Sequence, residues 1–446
     1  MRRIKYAVRI GCAYLLIFTA AGLVQSYNGA NVNTFKNAAE IPDSQRDTYV
    51  EERQNTTVIT TQGNKNPHNG IIVAFHPDGT VQYYNSTYDN YFDVDPVADT
   101  EQSVSYVASE RLAPSACNGK TCFLNVVEVT NLTTGSTVRL YSHIADGSWH
   151  DVDMVDSDRL LIADITADQV FIKNISSGIR EWTWDAQSDF QISSGGVYPG
   201  DWTHVNDVEQ LSDGRIMISL RNHDQVLFIN QSSGKIDDAL GQDDSHRILY
   251  EQHNPDYIEN SDGNSSVLVA DSENNRIVEY SHRRGDWERI YQWSSERVQW
   301  PRDADRLPNG HTLITDSNGD RVIEINNQGE VVWSVSVVLP YEAERLETGP
   351  ESSNAPTATE ANLTTRDPSV LQPQETSGGV SIQSSVRSLI PGPIVNGIVF
   401  IIPPWMSFSD LLNIAISIFG LGVLIVCELR WSKIEINISS PVQITK

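Results

Sequence analysis

Four segments of this 446-residue chain open alike, and the repeat they form limits the fold more than any other feature. They read WHDVDMVDSDRLLIADITADQVFIKN from Trp149, HVNDVEQLSDGRIMISLRNHDQVLFIN from His204, HNPDYIENSDGNSSVLVADSENNRIVEY from His253 and RDADRLPNGHTLITDSNGDRVIEIN from Arg302. Three residues after each opening His or Arg stands an acid: Asp153, Asp207, Asp256 and Asp305. A polar turn follows, then an apolar strand ending in a polar residue, a second apolar strand, and an outer strand that in three units carries a tryptophan (Trp184, Trp293, Trp333). The openings at 150, 204, 253 and 302 lie 54, 49 and 49 residues apart, close to the roughly 40–50 residues of a four-stranded propeller blade. β-branched and aromatic strands punctuated by NG and DG turns argue strongly against a helical solenoid. Two divergent units fit upstream, through NGIIVAFHPDGTVQYYN and CFLNVVEVTNLTTGSTVRLYS. The expected fold is all-β, a six-bladed β-propeller over residues 55–340. Seven blades is the rival count, because the first part of the domain matches the repeat poorly.

Blade geometry turns this spacing into chemistry. The innermost strand starts at one mouth of the central channel and the second strand returns antiparallel, so the residue opening the first faces the one ending the second. Pairing about the turn centres sets His150 opposite Asp164, His204 opposite Arg221, His253 opposite Asp271 and Arg302 opposite Asp316. With the blades arranged radially, these pairs ring one end of the channel, and Asn206 shares the strand face of His204. Three His, two Arg and an Asn would then form a cationic pocket. Polar residues at strand starts and Asp at strand ends also cap turns and bridge blades, which is the role expected of Asp153, Asp207, Asp256 and Asp305. Asp164 and Asp271 are expected to orient imidazoles and fix their tautomers. A single histidine here would read as structural; three at one repeat position point to function. The remaining histidines, His282 among them, lack this logic. Trp149, Trp202 and Trp300, just before the openings, either pack blades or wall an aromatic ligand.

The sequence resembles the arylsulfate sulfotransferase family at WTHVND followed by ISLRN, at EQHNPD, at WHDVD and in the LPNGHTLITD pattern, over most of Trp149 to Val338. The H-x-N with a downstream Arg is the most specific part. The resemblance implies a six-bladed propeller that moves a sulfuryl group from a phenolic sulfate to another phenol, with no cofactor, through a histidine nucleophile. By motif, His253 would be that nucleophile, and His150, His204, Asn206 and Arg221 would bind the sulfuryl group. Arg302 joins them by its place in the ring. Such residues suit sulfuryl transfer, since a neutral imidazole attacks sulfur if held in line, and guanidinium and amide donors stabilise charge on the sulfuryl oxygens. Asp271 would hold the His253 ring, and His150 or His204 would protonate the leaving phenolate. Two other readings stay open. Three converging imidazoles could hold Zn²⁺ or Fe²⁺ in a lyase or hydrolase, or the ring could be structural in a propeller that only binds glycans or proteins. Neither a phosphate-cradling Gly-rich loop nor a G-x-S-x-G or H-E-x-x-H motif occurs, which lowers NTPase, serine hydrolase and zincin readings.

Charge locates the domain. With 58 Asp plus Glu against 32 Lys plus Arg, the chain carries −26 and would be repelled by nucleic acid. The excess of carboxylates and the few lysines suggest a halophilic source, where salt screens self-repulsion; refolding equally well in low and molar salt would remove that idea. Residues 1–35 hold four bases and no acid, and residues 387–446 are close to balance, so the acidity lies in the middle. Ile10 to Val24 is apolar and reads as a signal anchor over residues 1–27, with a cleaved signal peptide as the competing reading. Leu411 to Cys427, counted from Trp405, is long enough to cross a membrane, with Trp405 and Trp431 near the interfaces. Bases at the outer ends of both segments put the termini, including the tail from 430, in the cytoplasm and the propeller on the extracytoplasmic side of the cell membrane. Residues 28–54 are expected to be a linker, and 341–388, rich in Ser, Thr and Pro, a disordered stalk. Leu389 to Ile402 is short and holds two prolines, so it reads as an interfacial or re-entrant lead-in, a second crossing being the alternative. Cys117 and Cys122 bracket a turn and could close a disulfide in an oxidising compartment. Seven of eight N-x-S/T sequons fall in the segment placed outside, where glycosylation is possible.

Overall fold

The computed structural model describes residues 2–29, 34–63, 69–98, 100–259, 265–295, 297–353, 355–366, 392–403, 406 and 408–432. Their strands form six four-stranded antiparallel sheets, the blades of the expected propeller. The four repeats are blades 3 to 6, each laid down in chain order from the innermost strand outward. They run from Val152–Met154 to Arg180–Asp185, Val205–Gln210 to Lys235–Gly241, His253–Ile258 to Asp286–Ser294, and Pro301–Arg306 to Val331–Ser336. Blade 2 spans Asn90–Pro96 to Thr137–Ala145. Blade 1 is built from both ends of the domain: its inner strand, Pro340–Arg345, pairs antiparallel with Thr57–Thr61.

That closure corrects the expected stalk over 341–388. Pro340–Arg345 alternates apolar and acidic residues and is buried throughout; composition made it look solvated, whereas pairing and burial make it a core strand. The chain then stays on the propeller as far as residue 366. Leu346 N donates to Thr56 O (3.0 Å), Ala358 N to Glu279 Oε1 (2.9 Å), and Ser294 N to Arg366 O (3.0 Å). The rest of the expected stalk, 367–388, lies outside the described residues, as do the first residues of the expected lead-in, 389–391, Trp405 and the tail from 433. The expected linker also packs. Phe35, from the short helix Thr34–Ala39, meets Phe75 edge-on at 5.2 Å, and Trp333 Nε1 donates to Glu51 O at 3.0 Å.

Apolar faces of neighbouring blades interdigitate around the ring. Between blades 3 and 4, Leu161, Val170, Ile218 and Leu227 pack with the fully buried Trp202, whose truncation to Ala would cost about 3–5 kcal/mol. Nearer the axis, acids on the inner strands tie each blade to the next through its backbone amides. Asp93 accepts from Val152 N (3.3 Å), Asp151 from Val208 N (2.5 Å), Asp153 from Gln210 N (3.3 Å) and Glu209 from Tyr257 N (3.2 Å). Asp303 and Glu342 do the same for Ala343 N and Val94 N, each at 3.2 Å, so the bridges run through blade 1 as well. The bridging role expected of Asp153 is therefore met.

The two long terminal helices form a compact unit of their own. Helix α1 (Arg2–Gly29) and helix α3 (Phe408–Ser432) pack antiparallel: Arg9 pairs with Glu428 (Nη2 to Oε2, 2.7 Å) and Thr19 meets Ser417 at 2.5 Å. Their apolar windows, Lys5–Val24 and Asp410–Trp431, have mean hydropathies of 1.9 and 2.2 and are long enough to cross a membrane. Helix α2 (Gly392–Ile401) belongs instead to the propeller unit. At ten residues it is ~15 Å long, too short to cross. The expected lead-in thus packs on protein.

Candidate functional site

The openings of the inner strands converge as the repeat implied. His150, His204, His253, Arg221 and Arg302 line one cavity of about 420 Å3. Gln62, Glu273 and Trp300 complete its propeller wall, and Asn396, Gly397 and Phe400 of helix α2 cover it. Asn396 Nδ2 donates to Glu273 Oε2 (3.0 Å), Asn318 Nδ2 donates to Asn396 O (3.3 Å), and the Phe400 ring stands edge-on to Trp300 at 5.3 Å. His204, Glu251 and Trp300 hold φ of 48°, 47° and 53°. Such left-handed backbone costs non-glycine residues about 1 kcal/mol or more each, and it turns the chain into the inner strands at the mouth.

Register decides which partners the imidazoles have. Val205 pairs with Leu220 and Arg221 N donates to His204 O (3.3 Å), so His204 and Arg221 are opposite, as expected. The register shifts just after the opening in blades 4, 5 and 6 alike, and in the last two His253 pairs with Ala270 and Pro301 with Asp316. A one-residue slip sends a side chain to the other face, which removes Asp271 from His253. Asp271 instead accepts from Tyr250 N (2.7 Å), Asn274 Nδ2 (2.8 Å) and Arg276 Nε (2.6 Å), and burial raises its carboxyl to about 6 against the pull of Arg276. Asp164 likewise caps its own turn, accepting from Thr166 Oγ1 (3.1 Å) and Ala167 N (3.2 Å). Asn206 is fully buried, donates to Gln252 O (3.0 Å) and does not line the cavity. The orienting roles expected of Asp164 and Asp271 and the binding role of Asn206 are not those the geometry gives them.

Other residues do the orienting. His253 Nδ1 lies 2.9 Å from Ser272 Oγ, and that hydroxyl donates its one proton to a carbonyl, Pro301 O, at 2.7 Å. The serine can therefore only accept from the ring. This favours the His253 tautomer with its proton on Nδ1 and the Nε2 lone pair free. His204 Nδ1 donates to Asp201 Oδ1 at 2.6 Å. Desolvation works against ionising Asp201, yet hydrogen bonding to His204 and the charges of His204 and Arg221 outweigh it and hold the carboxyl below its usual range. His150 stacks on Phe92 at 4.4 Å, and its Nδ1 is buried with no partner.

Burial pushes His150 and His253 well below the ordinary histidine value, helped by Arg302 and Arg221, and lowers His204 less because Asp201 opposes the shift. Burial lowers Arg302 only to about 10, so it stays cationic at neutral pH. It donates to Gln62 Oε1 (2.5 Å) and lies over the Trp300 and Tyr341 rings at 4.4 and 5.0 Å. Arg221 pairs with Glu251. The result is neutral imidazoles beside two fixed cations, which suits an anion with an electrophilic centre. Metal ligation suits it less: no trio of ligand atoms within 4.8 Å among the described residues includes these imidazoles. Of the three tryptophans before the openings, Trp149 and Trp202 are packed in blade cores and Trp300 walls the cavity.

Asp201, Ser272 and Gln62 were not singled out from the sequence, and the segment of helix α2 was read as a membrane lead-in rather than as part of the site. One signal did exist for Asp201: the longer 54-residue spacing marks extra chain before His204, and Asp201 sits in it.

No curated protein matches this chain. Solved structures with a similar course include a putative 6-phosphogluconolactonase from Bacteroides fragilis (14% identity, 69% of this chain and 100% of that one, TM-score 0.42). A periplasmic gluconolactonase from Pseudomonas aeruginosa (15%, 66% and 99%, 0.43) and a virginiamycin B lyase from Staphylococcus aureus (13%, 55% and 69%, 0.36) are others. At such identities and scores they carry no argument about chemistry. The family model of the arylsulfotransferases (ASST) matches residues 55–337, most of the propeller and more than half of the sequence. The chain belongs to the arylsulfotransferase family.

Proposed function

We propose that the protein transfers the sulfuryl group of an aryl sulfate to a phenolic or other hydroxyl acceptor in two steps, through a sulfohistidine on His253. The observation that carries this reading is the Ser272 hydrogen bond, which leaves His253 Nε2 unprotonated beside Arg221, Arg302 and the cavity. In the first step Nε2 attacks sulfur, the bond from sulfur to the aryl oxygen breaks, and the leaving phenolate takes a proton from His204. The Asp201 carboxylate favours the imidazolium needed there, so His204 rather than His150 is the acid. In the second step His204 takes the acceptor's hydroxyl proton, the acceptor oxygen attacks sulfur, and the sulfur–nitrogen bond breaks. Arg302, Arg221 and His150 bind the sulfuryl oxygens and stabilise the charge that grows on them. No cofactor enters this cycle.

Brief exposure of the protein to 4-nitrophenyl sulfate, followed by peptide mass spectrometry, tests the intermediate. A sulfated His253 peptide is expected in the wild type and in His282→Ala. Turnover with no sulfated histidine, or with sulfate on another residue, would sink the assignment.

The same reading places the propeller on the extracytoplasmic side of a membrane crossed by helices α1 and α3. It is supported by their antiparallel pairing, which puts both basic ends on one side. Cys117 and Cys122, with Cα atoms 6.0 Å apart, are also placed for a disulfide in an oxidising compartment. Protease added to intact cells should digest the propeller; full protection would reverse the topology.

A further inference from the structure

The inner-strand acids do more than bridge blades. Acids two residues apart share a strand face, and on the inner strands that face lines the central channel. Asp256, Asp303 and Asp305 each offer a carboxylate oxygen within 4.8 Å of the others, and each is only 2% exposed. Oxygens bound to one ion at about 2.3–2.6 Å lie at most roughly 5 Å apart, so the spacing suits a shared ion. Among the described residues, no Lys or Arg forms an ion pair with any of the three; Arg306, on the same inner strand as Asp303 and Asp305, pairs with Glu279 at 3.1 Å.

Unpartnered oxygens supply a second, separate observation. Asp305 Oδ2 is buried with no hydrogen-bond partner, and so are Asp151 Oδ1, Asp207 Oδ2 and Glu344 Oε2 on other inner strands. All four side chains are at most 5% exposed. The bridges explain one oxygen of an acid such as Asp151, whose other oxygen binds Val208 N. They do not explain the orphans, and carboxylates this deeply buried persist only when neutralised or bound to a cation.

We infer that the channel binds a hard divalent cation of the calcium class at Asp256, Asp303 and Asp305, in a site distinct from the histidine cavity at its mouth. The donor set is all oxygen, with no imidazole or thiolate, which disfavours zinc and copper. Magnesium, which keeps several waters, suits so enclosed a site poorly. The ion would join blades 5 and 6 and, because Asp256 also accepts from Ser352 Oγ, would tie in the segment that follows the closing strand. Asp95, Asp153 and Glu351 form a second such trio, so one or two ions per chain are consistent with the geometry.

The test uses full-length protein in detergent, stripped with EGTA and titrated with CaCl2 alone at constant ionic strength. One or two equivalents of calcium are expected to be retained after desalting, with a rise of several degrees in the unfolding midpoint and a smaller rise with MgCl2. Asp305→Asn should fold without calcium at least as stably as the stripped wild type, because it removes a repelling charge, and should lose most of the calcium-induced rise. His253→Ala should keep that rise in full. Equal midpoints in EGTA and calcium with no metal retained would overturn the inference. So would a calcium effect undiminished in both Asp305→Asn and Asp256→Asn, or one abolished by His253→Ala.

Discussion

Two polar rings share the inner strands of this propeller and differ in almost everything else. His150 adjoins Asp151, Arg302 adjoins Asp303, and His253 lies three residues from Asp256. At the mouth, the polar groups keep one edge on a cavity and use the other to fix a proton, as Ser272 does for His253 and Asp201 for His204. Within the channel, carboxylates spend oxygens on the backbone amides of the next blade. The same strand therefore carries the residues proposed for sulfuryl transfer at its start and blade-bridging acids a few residues later. Depth along the channel, rather than residue type, separates the two.

Exchanging readouts between the rings tests this division most severely. His253→Ala should lower sulfuryl transfer from an aryl sulfate by roughly a thousandfold or more, whereas Asp305→Asn, assayed at saturating donor in calcium-free buffer, should retain turnover. If the channel variant loses as much activity as the mouth variant, the rings are one site. A smaller effect is expected from His204→Ala and Asp201→Asn, which should each cost about 10²–10³-fold. The loss should be largest for aryl sulfates whose phenol is weakly acidic; equal losses across leaving groups would remove His204 from the proton step.

Next in size, Ser272→Ala should lower kcat by about tenfold by freeing the tautomer of His253, with little change in KM. Asp271→Asn should change activity less than Ser272→Ala does, because its carboxylate serves Arg276 and Tyr250 N. The reverse order would restore the orienting role to the aspartate. The pH profile belongs with this pair. Burial first, and then the neighbouring cations, hold His150, His204 and His253 below the ordinary histidine value of 6.5 in the folded protein, so the imidazoles stay neutral down to that pH and below. Activity should therefore fall on the acid side as His253 takes up a proton and, for donors whose phenolate must be protonated, also on the alkaline side as His204 loses the proton it gives. Stability follows the same sign: the unfolded chain takes up protons near the ordinary value that the buried rings resist, so stability is lost as pH drops through it. The smallest effect is that of Phe400→Ala, which removes one edge-on aromatic neighbour of Trp300 worth about 0.5–1.5 kcal/mol. It should raise KM for aryl donors a few-fold and leave transfer from the sulfohistidine unchanged; no change in KM would exclude helix α2 from the binding wall.

Much of the fold was legible because repetition is a sequence property. Openings at His150, His204, His253 and Arg302 recur at blade spacing, and that alone brought three imidazoles and a guanidinium to one end of the channel. The true partner of His253 was not legible, since a β-bulge adds a residue without changing the alternation along the strand. Ser272, one position further on, takes the place that Asp271 was given. Asn206 failed for a related reason: the register shifts between Val205 and Asp207, so Asn206 is the extra residue of a bulge and its amide donates to Gln252 O of the next blade instead of lining the cavity. Pro340–Arg345 looked like the start of a solvated stalk because its glutamates were read by composition, without the neighbouring strands that bury them.

Local periodicity and spacing were enough for the all-β architecture, the number of blades, the apolar termini and the histidines of the site. The partners of those histidines came only with the assembled ring, as did the closing strand of blade 1, the cover that helix α2 places on the cavity and the convergence of acids from different blades on the channel. These contacts join residues up to a few hundred positions apart, and such pairings depend on register and on ring closure, which no local pattern encodes.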